Sequence, residues 1–258
     1  MISVVTACLN EEEMLPIYFA SLSKLPKDKL KEIIIVDGGS NDKTISIIEK
    51  ASKFLPVTLI VKNDIKYVAQ QKNYGIALAT GKYILPLDAD ETIDSLLIEK
   101  LEKLPSYNVA WQFMKWYTIQ DVNHHALNHK GFPCHKIFQN SLGIRYNRKI
   151  HDHFVYPKEE YDGGALRGAT VPLGIALNIH VFDNRLLSSD EGLEKKFNIW
   201  KDRGILDQSK EEGIPIESNF WLASKREHLA NPSTILDFPK IVKECIHWTL
   251  EDIETWKV

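Results

Sequence analysis

An apolar stretch in the first half of the sequence ends in three carboxylates within four residues. The stretch covers residues 83–91 and is typical of a buried strand with an acidic carboxyl end. Side chains two positions apart on a strand point to the same side, so Asp88 and Asp90 would present their oxygens together. Mg²⁺ and Mn²⁺ take such oxygen ligands, commonly from one or two carboxylates and the phosphates of a substrate. The stretch therefore predicts a divalent-metal site, although Asp90 or Thr92 could instead cap a helix over residues 93–104.

Two other polar clusters follow predicted strands. Asn10 and Glu11 come directly after the apolar residues 2–9, and Asp37 comes directly after residues 33–36. In a parallel sheet the carboxyl ends of the strands meet at one edge, and ligands bind in the crevice beyond that edge. We therefore expect these side chains to converge with the acidic pair on one binding site. Acids also follow strands in many α/β proteins, and helix capping stays open as an explanation of each cluster.

Strands and helices alternate through the first 105 residues. Runs of apolar, β-branched residues predict strands, and apolar residues spaced three to four apart predict helices. The strands fall at residues 2–9, 33–36, 57–61 and 83–87, and the helices at residues 15–22, 45–55 and 70–79. This alternation predicts an α/β fold, in which a doubly wound, Rossmann-type, mostly parallel sheet carries helices on both faces.

The pattern changes after residue 105. Residues 110–118 predict a less deeply buried strand, residues 136–154 predict short antiparallel strands, and residues 176–182 predict the last strand. Four histidines lie near the start of this region, and their spacing matches no standard zinc pattern: His124, His125, His129 and His135. The first three are expected in a solvent-facing loop. From Leu186 onward the pattern is helical. The charges of these helices are expected to be solvated, with membrane-surface docking as the alternative.

Composition limits the function classes. The chain has 258 residues, a net charge of -3 and a sequence pI near 6.3, so nucleic acid is not the expected partner. Cys8, Cys134 and Cys245 are widely separated, which fits a reducing compartment rather than a disulfide framework. No segment approaches the ~18 uninterrupted apolar residues of a membrane span, and the stretch at 2–9 is too short for a signal sequence. We expect a cytoplasmic protein, with peripheral contact to a membrane as the alternative, and the sequence leaves its oligomeric state open.

Four motifs occur in order along the first ninety-odd residues. They are VVTACLNEE at 4–12, IVDGGSND at 35–42, QKNYG at 71–75 and YILPLDADE at 83–91. With these motifs the sequence resembles the family 2 glycosyltransferases of the GT-A fold, particularly the bacterial branch related to lipopolysaccharide-core sugar transferases. Residues 136–138 and 150–152 resemble that branch more loosely and extend the likeness to about His180.

The resemblance implies transfer of a sugar from a nucleoside diphosphate sugar, with a UDP-sugar favoured, to a saccharide or glycolipid acceptor. A glycosyltransferase domain would then cover residues 1–185, with the donor half at 1–105, the acceptor half at 106–185 and a helical region at 186–258. The donor would contact residues from all four motifs: Thr6, Cys8, Asn10, Glu11, Asp37, Gly38, Lys72 and Asp88. Lys72 stands where Arg is more usual, which keeps the positive charge but loses bidentate geometry.

The same resemblance implies that Asp88 and Asp90 fix Mn²⁺ or Mg²⁺ on the diphosphate. Such an ion neutralises the charge that accumulates on the departing nucleoside diphosphate. His180, at the end of the last predicted strand, could add a nitrogen ligand, and Mn²⁺ would accept that ligand better than Mg²⁺. A purely structural histidine stays open at this position.

For the catalytic base the resemblance indicates Asp152, in the position where the related branch carries Glu. A base must accept the proton of the acceptor hydroxyl, and direct displacement inverts the anomeric carbon. Two rivals stay open: His151 as the base itself, and Asp152 as a structural partner of Arg148 or Lys149.

Two other function classes share parts of this pattern. A sugar-nucleotide nucleotidyltransferase should have a glycine-rich phosphate loop after its first strand, whereas residues 7–11 contain no glycine. A non-catalytic sugar-binding protein would have no need to retain Asp37, Asp88 and Asp90 together. The acceptor is expected against residues 111–153, where Trp111, Trp116 and Tyr117 could stack on sugar rings.

Overall fold

The computed structural model describes residues 1–93, 97–103, 110–120, 125–127, 132–146, 154–155, 173–211, 216 and 218–230. The strands within these residues are β1 Ile2–Cys8, β2 Leu30–Asp37, β3 Val57–Val61, β4 Tyr83–Pro86, β5 Glu91–Ile93, β6 Ala110–Gln120, β7 His125–Leu127, β8 Phe132–Gln139, β9 Arg145–Tyr146, β10 Phe154–Val155 and β11 Leu173–Asp183. The helices are α1 Leu15–Leu22, α2 Thr44–Ala51, α3 Val68–Leu78, α4 Leu97–Glu102, α5 Asp190–Asp202, α6 Ile205–Glu211 and α7 Phe220–Ala230.

One mixed sheet organises the described part of the chain. Its strand order is β3-β2-β1-β4-β8-β6-β11-β5, with β7 paired to β6. The strands β3, β2, β1 and β4 are all parallel, as the alternation of strands and helices predicts. The antiparallel pairs lie in the second half, where β8 lies between β4 and β6. The predicted α/β fold is confirmed.

Helices cover both faces of the parallel strands, because the strand side chains alternate between two apolar surfaces. Val4 and Ile35 pack with α1 and α2 in the larger core cluster. Val5 belongs to a second cluster on the other face, with Ile76 of α3. Gly75 lets α3 approach that face closely, since a Cβ atom there would lie 2.6 Å from Val5 Cγ1 and 3.4 Å from Val36 Cγ2. Burial of apolar side chains on both faces stabilises this half of the protein.

The segment after the acidic pair differs from the prediction. Residues 91–93 form the edge strand β5 instead of beginning a helix, and the helix α4 is confined to Leu97–Glu102. The strand forms because β11 pairs with it antiparallel, placing Ile93 opposite Val181. Thr92 lies inside β5 and accepts a hydrogen bond from Asn184 Nδ2 at 3.1 Å, so the capping explanation is wrong for Thr92. A long-range pairing here overrides the local helix signal.

The region after β11 is helical, as predicted. A 3₁₀ turn at Arg185–Leu187 leads into α5, whose N-terminus is capped by Ser189 through a hydrogen bond from the Gly192 N–H. Residues 231–258 lie outside the described part of the chain, and the domain boundaries stay a prediction. None of the helices in the described residues is long and apolar enough to cross a membrane.

Candidate active site

A cavity of about 430 Å³ opens at the carboxyl ends of β1 and β4. This volume lies within the range of small-molecule sites, about 300–1,000 Å³. Its walls come from the ends of these strands, the start of α3, the turn after β11 and helix α5. Ionisable side chains from all of these elements line it: Glu11, Lys66, Lys72, Asp88, Asp90, Asp183, Arg185 and Lys196. The cavity therefore lies where the crevice of a doubly wound sheet is expected.

Asp90 lies at the centre of the charged network. Its Oδ2 accepts a hydrogen bond from Arg185 Nε at 2.5 Å, and Lys196 Nζ lies 3.6 Å from the same oxygen. Burial alone would raise the pKa of Asp90, but the charges of Arg185 and Lys196 and the hydrogen bond outweigh it and lower the pKa to about 2. Within the described residues no donor reaches Oδ1, which is buried. Asp90 is thus an ionised carboxylate with one oxygen still able to accept a ligand.

Asp88 lies beside Asp90 and pairs with Lys72. The Lys72 Nζ is 2.8 Å from Asp88 Oδ1, and the side chain of Asp88 keeps 25% of its exposure while that of Lys72 keeps 5%. Lys72 Nζ also lies 4.8 Å from the centre of the Tyr146 ring, a cation–π contact that fixes the ammonium group. Lys72 therefore presents a positioned charge to the cavity.

Glu11 and Lys196 form a second ion pair at the cavity wall. Burial raises the pKa of Glu11 to about 7, and Asp90 adds to this effect although Lys196 opposes it. Burial lowers the pKa of Lys196, but Glu11 and Asp90 outweigh it and the net shift is upward. Lys196 is consequently a charged ammonium group inside the cavity.

Asp37 and Gly38 form the turn after β2. The Asp37 carboxylate is fully buried and accepts hydrogen bonds from the backbone N–H groups of Gly39 and Ser40, both at 2.8 Å, and from the Ser40 hydroxyl. Gly39 has a φ of 91°, which favours glycine. Arg203 Nη2 donates to the Gly38 carbonyl at 2.9 Å. Asp37 therefore shapes this turn, and neither Asp37 nor Gly38 is among the residues lining the cavity.

Asn10 connects the loops after β1 and β2. Its φ is 51°, its N–H donates to Ser40 Oγ at 2.8 Å, and its Oδ1 accepts from the Asn41 N–H at 2.8 Å. Thr6 lies deeper, where its Oγ1 and the Tyr18 hydroxyl share a hydrogen bond of 2.6 Å. Both side chains are occupied by the scaffold and support the site from outside the cavity.

The predicted site residues fall into three groups: those in the cavity, those that support it from outside, and His180 and Asp152, whose side chains the structure does not describe. Five belong to the first group: Cys8, Glu11, Lys72, Asp88 and Asp90. Four belong to the second: Thr6, Asn10, Asp37 and Gly38. Burial raises the pKa of the Cys8 thiol well above its usual value, so Cys8 contributes a neutral group. The backbone of His180 lies on β11 opposite Met114. Asp152 and its rival His151 lie outside the described residues, and the role of every site residue stays a prediction.

Three cations of the cavity are absent from the predicted set: Lys66, Arg185 and Lys196. Arg185 follows the last strand, and Lys196 was expected to be solvated on the surface of a helix. That expectation is wrong for Lys196, whose side chain is 17% exposed and paired. A signal was present in the sequence, since Lys196 lies three residues after Leu193 and four before Trp200, on the apolar face of α5. A charge within an apolar stripe often marks a buried partner.

The residues present fit a divalent cation bound together with a diphosphate. The cavity is lined by four carboxylates, Glu11, Asp88, Asp90 and Asp183, and by the four cationic groups at Lys66, Lys72, Arg185 and Lys196. A diphosphate would leave this balanced set with excess negative charge, and Asp90 Oδ1 has the acceptor capacity for a cation. The described residues contain no cluster of three His, Cys, Asp or Glu side chains that could hold an ion alone. The substrate would therefore have to complete the coordination.

Comparison with known proteins identifies the family. A sequence model of glycosyl transferase family 2 matches residues 3–163, which is more than half of the chain. The chain belongs to glycosyl transferase family 2. The resemblance carried by the four motifs is thereby confirmed, while membership of the lipopolysaccharide-core branch stays a prediction.

The curated relatives of the chain are only partly covered by it. A TPR repeat-containing protein from Synechococcus elongatus is 30% identical over 143 residues, which are 55% of this chain and 32% of that protein. A poly-beta-1,6-N-acetyl-D-glucosamine synthase from Staphylococcus epidermidis is 34% identical over 116 residues, 40% of this chain and 26% of the synthase. The chain thus spans about a third or less of the length of these relatives.

A solved structure shows the same fold. The S. aureus TarS fragment 1–349 aligns with 99% of this chain and 77% of its own at a TM-score of 0.50 and 15% identity. The same fragment has also been crystallised with UDP-GlcNAc, in a structure that aligns at a TM-score of 0.49 and 14% identity. At this identity the likeness of the family 2 domain to TarS concerns the fold alone.

Proposed function

We propose that the chain transfers a sugar from a nucleoside diphosphate sugar to a saccharide or glycolipid acceptor, with inversion of the anomeric carbon. The observation that carries the proposal is the cavity at the ends of β1 and β4, where Asp88 and Asp90 meet the buried Lys72 and the half-buried Arg185 and Lys196. Anionic phosphates need positioned cations, and a leaving nucleoside diphosphate needs them most as the glycosidic bond breaks. Membership of family 2 supports this reaction class.

The proposed donor is a UDP-sugar. Lys72 would meet a phosphate as a positioned charge, and Cys8 and Glu11 would face the nucleoside in the cavity. Thr6, Asn10, Asp37 and Gly38 would support the nucleoside site by holding the loops after β1 and β2 in place. The TarS fragment whose fold this chain shares has been crystallised with UDP-GlcNAc, and one family 2 relative is an N-acetyl-D-glucosamine polymer synthase. These likenesses favour uridine over other bases.

The proposed metal is Mn²⁺ or Mg²⁺, held by Asp90 and Asp88 and completed by the donor phosphates, with His180 as a further ligand. A bound ion of this kind supplies Lewis-acid stabilisation of the leaving diphosphate. Asp90 offers its unpartnered Oδ1, and Asp88 keeps enough exposure to turn toward the cavity. The ion pairs of Asp90 hold its carboxylate in the ionised form.

The proposed base is Asp152, which accepts the proton of the acceptor hydroxyl as that oxygen attacks the anomeric carbon. Asp152 precedes Phe154 of β10 by two residues, and Phe154 pairs with Tyr146, whose ring contacts Lys72. The support for Asp152 is its position in the sequence, two residues before the strand that pairs with Tyr146, and the family resemblance, which indicates an acid at this position.

A donor screen tests the proposed function. Purified protein with Mn²⁺ is incubated with UDP-, GDP- and dTDP-sugars and candidate glycans or glycolipids, and the released product is identified. Release of nucleoside diphosphate together with a glycosylated acceptor supports the proposal. Release of pyrophosphate would indicate a nucleotidyltransferase, and binding without turnover of any donor would indicate a sugar-binding protein.

Two expectations about location stay predictions. Cytoplasmic location and peripheral membrane contact are proposed from the sequence. Sedimentation of the protein with liposomes of anionic and neutral composition tests the membrane contact.

A further inference from the structure

Two cationic side chains that line the cavity, Arg185 and Lys196, come from beyond the part of the chain that the family 2 model matches. Arg185 belongs to the turn after β11, and Lys196 belongs to α5, while the matched residues end at 163. Both side chains contact Asp90, which lies 95 residues before Arg185 and 106 before Lys196 along the chain. The C-terminal region thus completes a wall of the candidate site.

These ion pairs are a weak explanation of stability. Removing charged groups from water costs free energy that their mutual attraction often fails to offset, so buried pairs commonly add little to the fold. The side chain of Asp90 is 1% exposed, that of Lys196 is 17% exposed and that of Arg185 is 21% exposed. The two cations therefore keep an open side, and the open side is the cavity.

An aromatic support orients both cations. The guanidinium carbon of Arg185 lies 5.2 Å from the centre of the Trp221 ring, and Lys196 Nζ lies 5.9 Å from the same ring. Trp221 is buried and is itself held by Trp200 in an edge-to-face contact at 4.7 Å. The two cationic side chains are consequently pre-organised, which lowers the entropy cost of binding an anion.

Arg185 retains donor capacity in this arrangement. Its side chain bonds Asp90 through Nε, and among the described residues no hydrogen bond engages its two terminal amino groups. A guanidinium group has five N–H donors in a planar fork that matches phosphate oxygens, and an ammonium group has three donors that can turn to a new partner. One Asp90 oxygen cannot satisfy both groups.

We propose that Arg185 and Lys196 bind the diphosphate of the donor, exchanging part of their contact with Asp90 for the phosphate oxygens. The Asp90 carboxylate would then be available to hold the divalent cation, so that donor binding rearranges one charged network. This inference rests on the proposed function, and it assigns donor binding to residues outside the four motifs. The departing nucleoside diphosphate is stabilised by three positioned cations, Lys72, Arg185 and Lys196.

The test compares a nucleoside diphosphate with its nucleoside. Calorimetry with Mn²⁺ measures the affinity of wild type, Arg185→Gln and Lys196→Met for UDP, GDP or dTDP, whichever wild type binds most tightly, and for the corresponding nucleoside. Each lost charged hydrogen bond should weaken diphosphate binding by ~10-fold or more, while nucleoside binding stays at the wild-type level. A merely structural role would change both affinities together.

Matched controls lie nearby, Lys195 beside Lys196 on α5 and Arg226 on α7, the helix that carries Trp221. Lys195→Met and Arg226→Gln remove exposed charges of the same sign and should keep wild-type affinity for the diphosphate. Thermal unfolding checks that each variant is folded. If Arg185→Gln or Lys196→Met does not fold, Arg185→Met or Lys196→Gln takes its place, and loss of diphosphate affinity with unchanged nucleoside affinity is again expected.

The failures of the two proposals are distinguishable. Wild-type protein that binds no nucleoside diphosphate rejects the proposed function and this inference with it. Wild-type protein that binds one, with unchanged diphosphate affinity in the Arg185 and Lys196 variants, rejects this inference alone.

Discussion

Asn73 of α3 and the backbone of Tyr146 in β9 exchange two hydrogen bonds. Asn73 Nδ2 donates to the Tyr146 carbonyl at 2.7 Å, and the Tyr146 N–H donates to Asn73 Oδ1 at 2.8 Å. The pair joins the predicted donor half to the predicted acceptor half across 73 positions of sequence. It also sets the Tyr146 ring beside Lys72.

Asn73→Ala should therefore weaken the connection between the donor half and the acceptor half. Loss of both hydrogen bonds leaves two backbone groups without their partner and costs about 1–3 kcal/mol of unfolding free energy. We expect turnover to fall more than donor affinity, because the segment that follows Tyr146 carries the proposed base. Urea unfolding and steady-state kinetics measure the two effects. Asn198→Ala, at an exposed position of α5, is the control, and equal behaviour of the two variants would contradict the prediction.

Asp90→Asn tests the metal. Wild-type protein should bind UDP more tightly when Mn²⁺ is present, and the variant should lose that enhancement because a neutral amide is a poor ligand for the ion. Turnover should fall by ~10²-fold or more. Calorimetry with and without Mn²⁺, and paramagnetic resonance of bound Mn²⁺, provide the readouts. Asp28→Asn on the exposed loop before β2 is the matched control. Activity that survives both EDTA and Asp90→Asn would refute a metal role.

Asp152→Asn tests the base. Turnover should fall by ~10²-fold or more with donor affinity nearly intact, because general base catalysis acts on the reaction step and not on donor binding. His151→Gln, measured in parallel, decides between the two candidates. Near-normal turnover of Asp152→Asn would eliminate Asp152, and joint loss of donor binding would assign it to the fold instead.

Glu32 provides a pH-dependent stability test far from the cavity. Its Oε1 accepts hydrogen bonds from Ser3 Oγ, the Thr80 N–H and Thr80 Oγ1, each at 2.7 Å, which ties β1, β2 and the turn before β4 together. Partial burial raises the pKa of Glu32, but these hydrogen bonds outweigh it and lower the pKa below its usual value. The stabilisation is therefore fully present above the unfolded pKa and is lost as the pH falls through the folded pKa.

Glu32→Gln should accordingly lower the free energy of unfolding by about 1 kcal/mol at pH 7, a value reduced by the solvent exposure of the site. The difference from wild type should shrink as the pH falls below about 4. Urea unfolding between pH 7 and pH 3 measures it, with the exposed Glu49→Gln as the control. A difference that did not depend on pH would show that the charge of Glu32 is unimportant.

Gly75→Ala tests the close approach of α3 to the sheet. The new methyl group would lie 2.6 Å from Val5 Cγ1, and such overpacking costs about 1–3 kcal/mol, which exceeds the helix-propensity gain of about 1 kcal/mol. We expect a net loss of unfolding free energy that becomes smaller in the Val5→Ala background. Denaturant unfolding of the four proteins of the cycle measures the coupling. Strictly additive changes in unfolding free energy would mean that the new methyl group does not clash with Val5.

Local pattern was sufficient to predict the parallel half of the fold. Residues 33–36 are apolar on both faces because helices cover both sides of β2, and the acids after β1 and β4 lie at one edge because these strands are parallel neighbours. Such features depend on residues close in sequence and on the regular geometry of α/β units.

The features that were missed depend on long-range contacts. The strand β5 exists because β11 pairs with it, and the cations at Asp90 arrive from residues 185 and 196. Thr6 has the type expected of a donor contact, but its hydroxyl is taken by Tyr18 inside the core. Patterns in a single sequence indicate whether a position is buried, but they do not identify the distant residue that contacts it.

The late position of Arg185 and Lys196 also orders events during synthesis. The strands β1 to β4 and their helices emerge from the ribosome before residues 185–196, so they can pair while the cavity lacks that wall. Asp90 then faces the cavity without the two cations that later surround it. Given the proposed roles of Arg185 and Lys196, we expect the nascent site to be more negative than the finished one and to repel anionic nucleotides. The competence to hold a nucleoside diphosphate should then arise only when α5 docks.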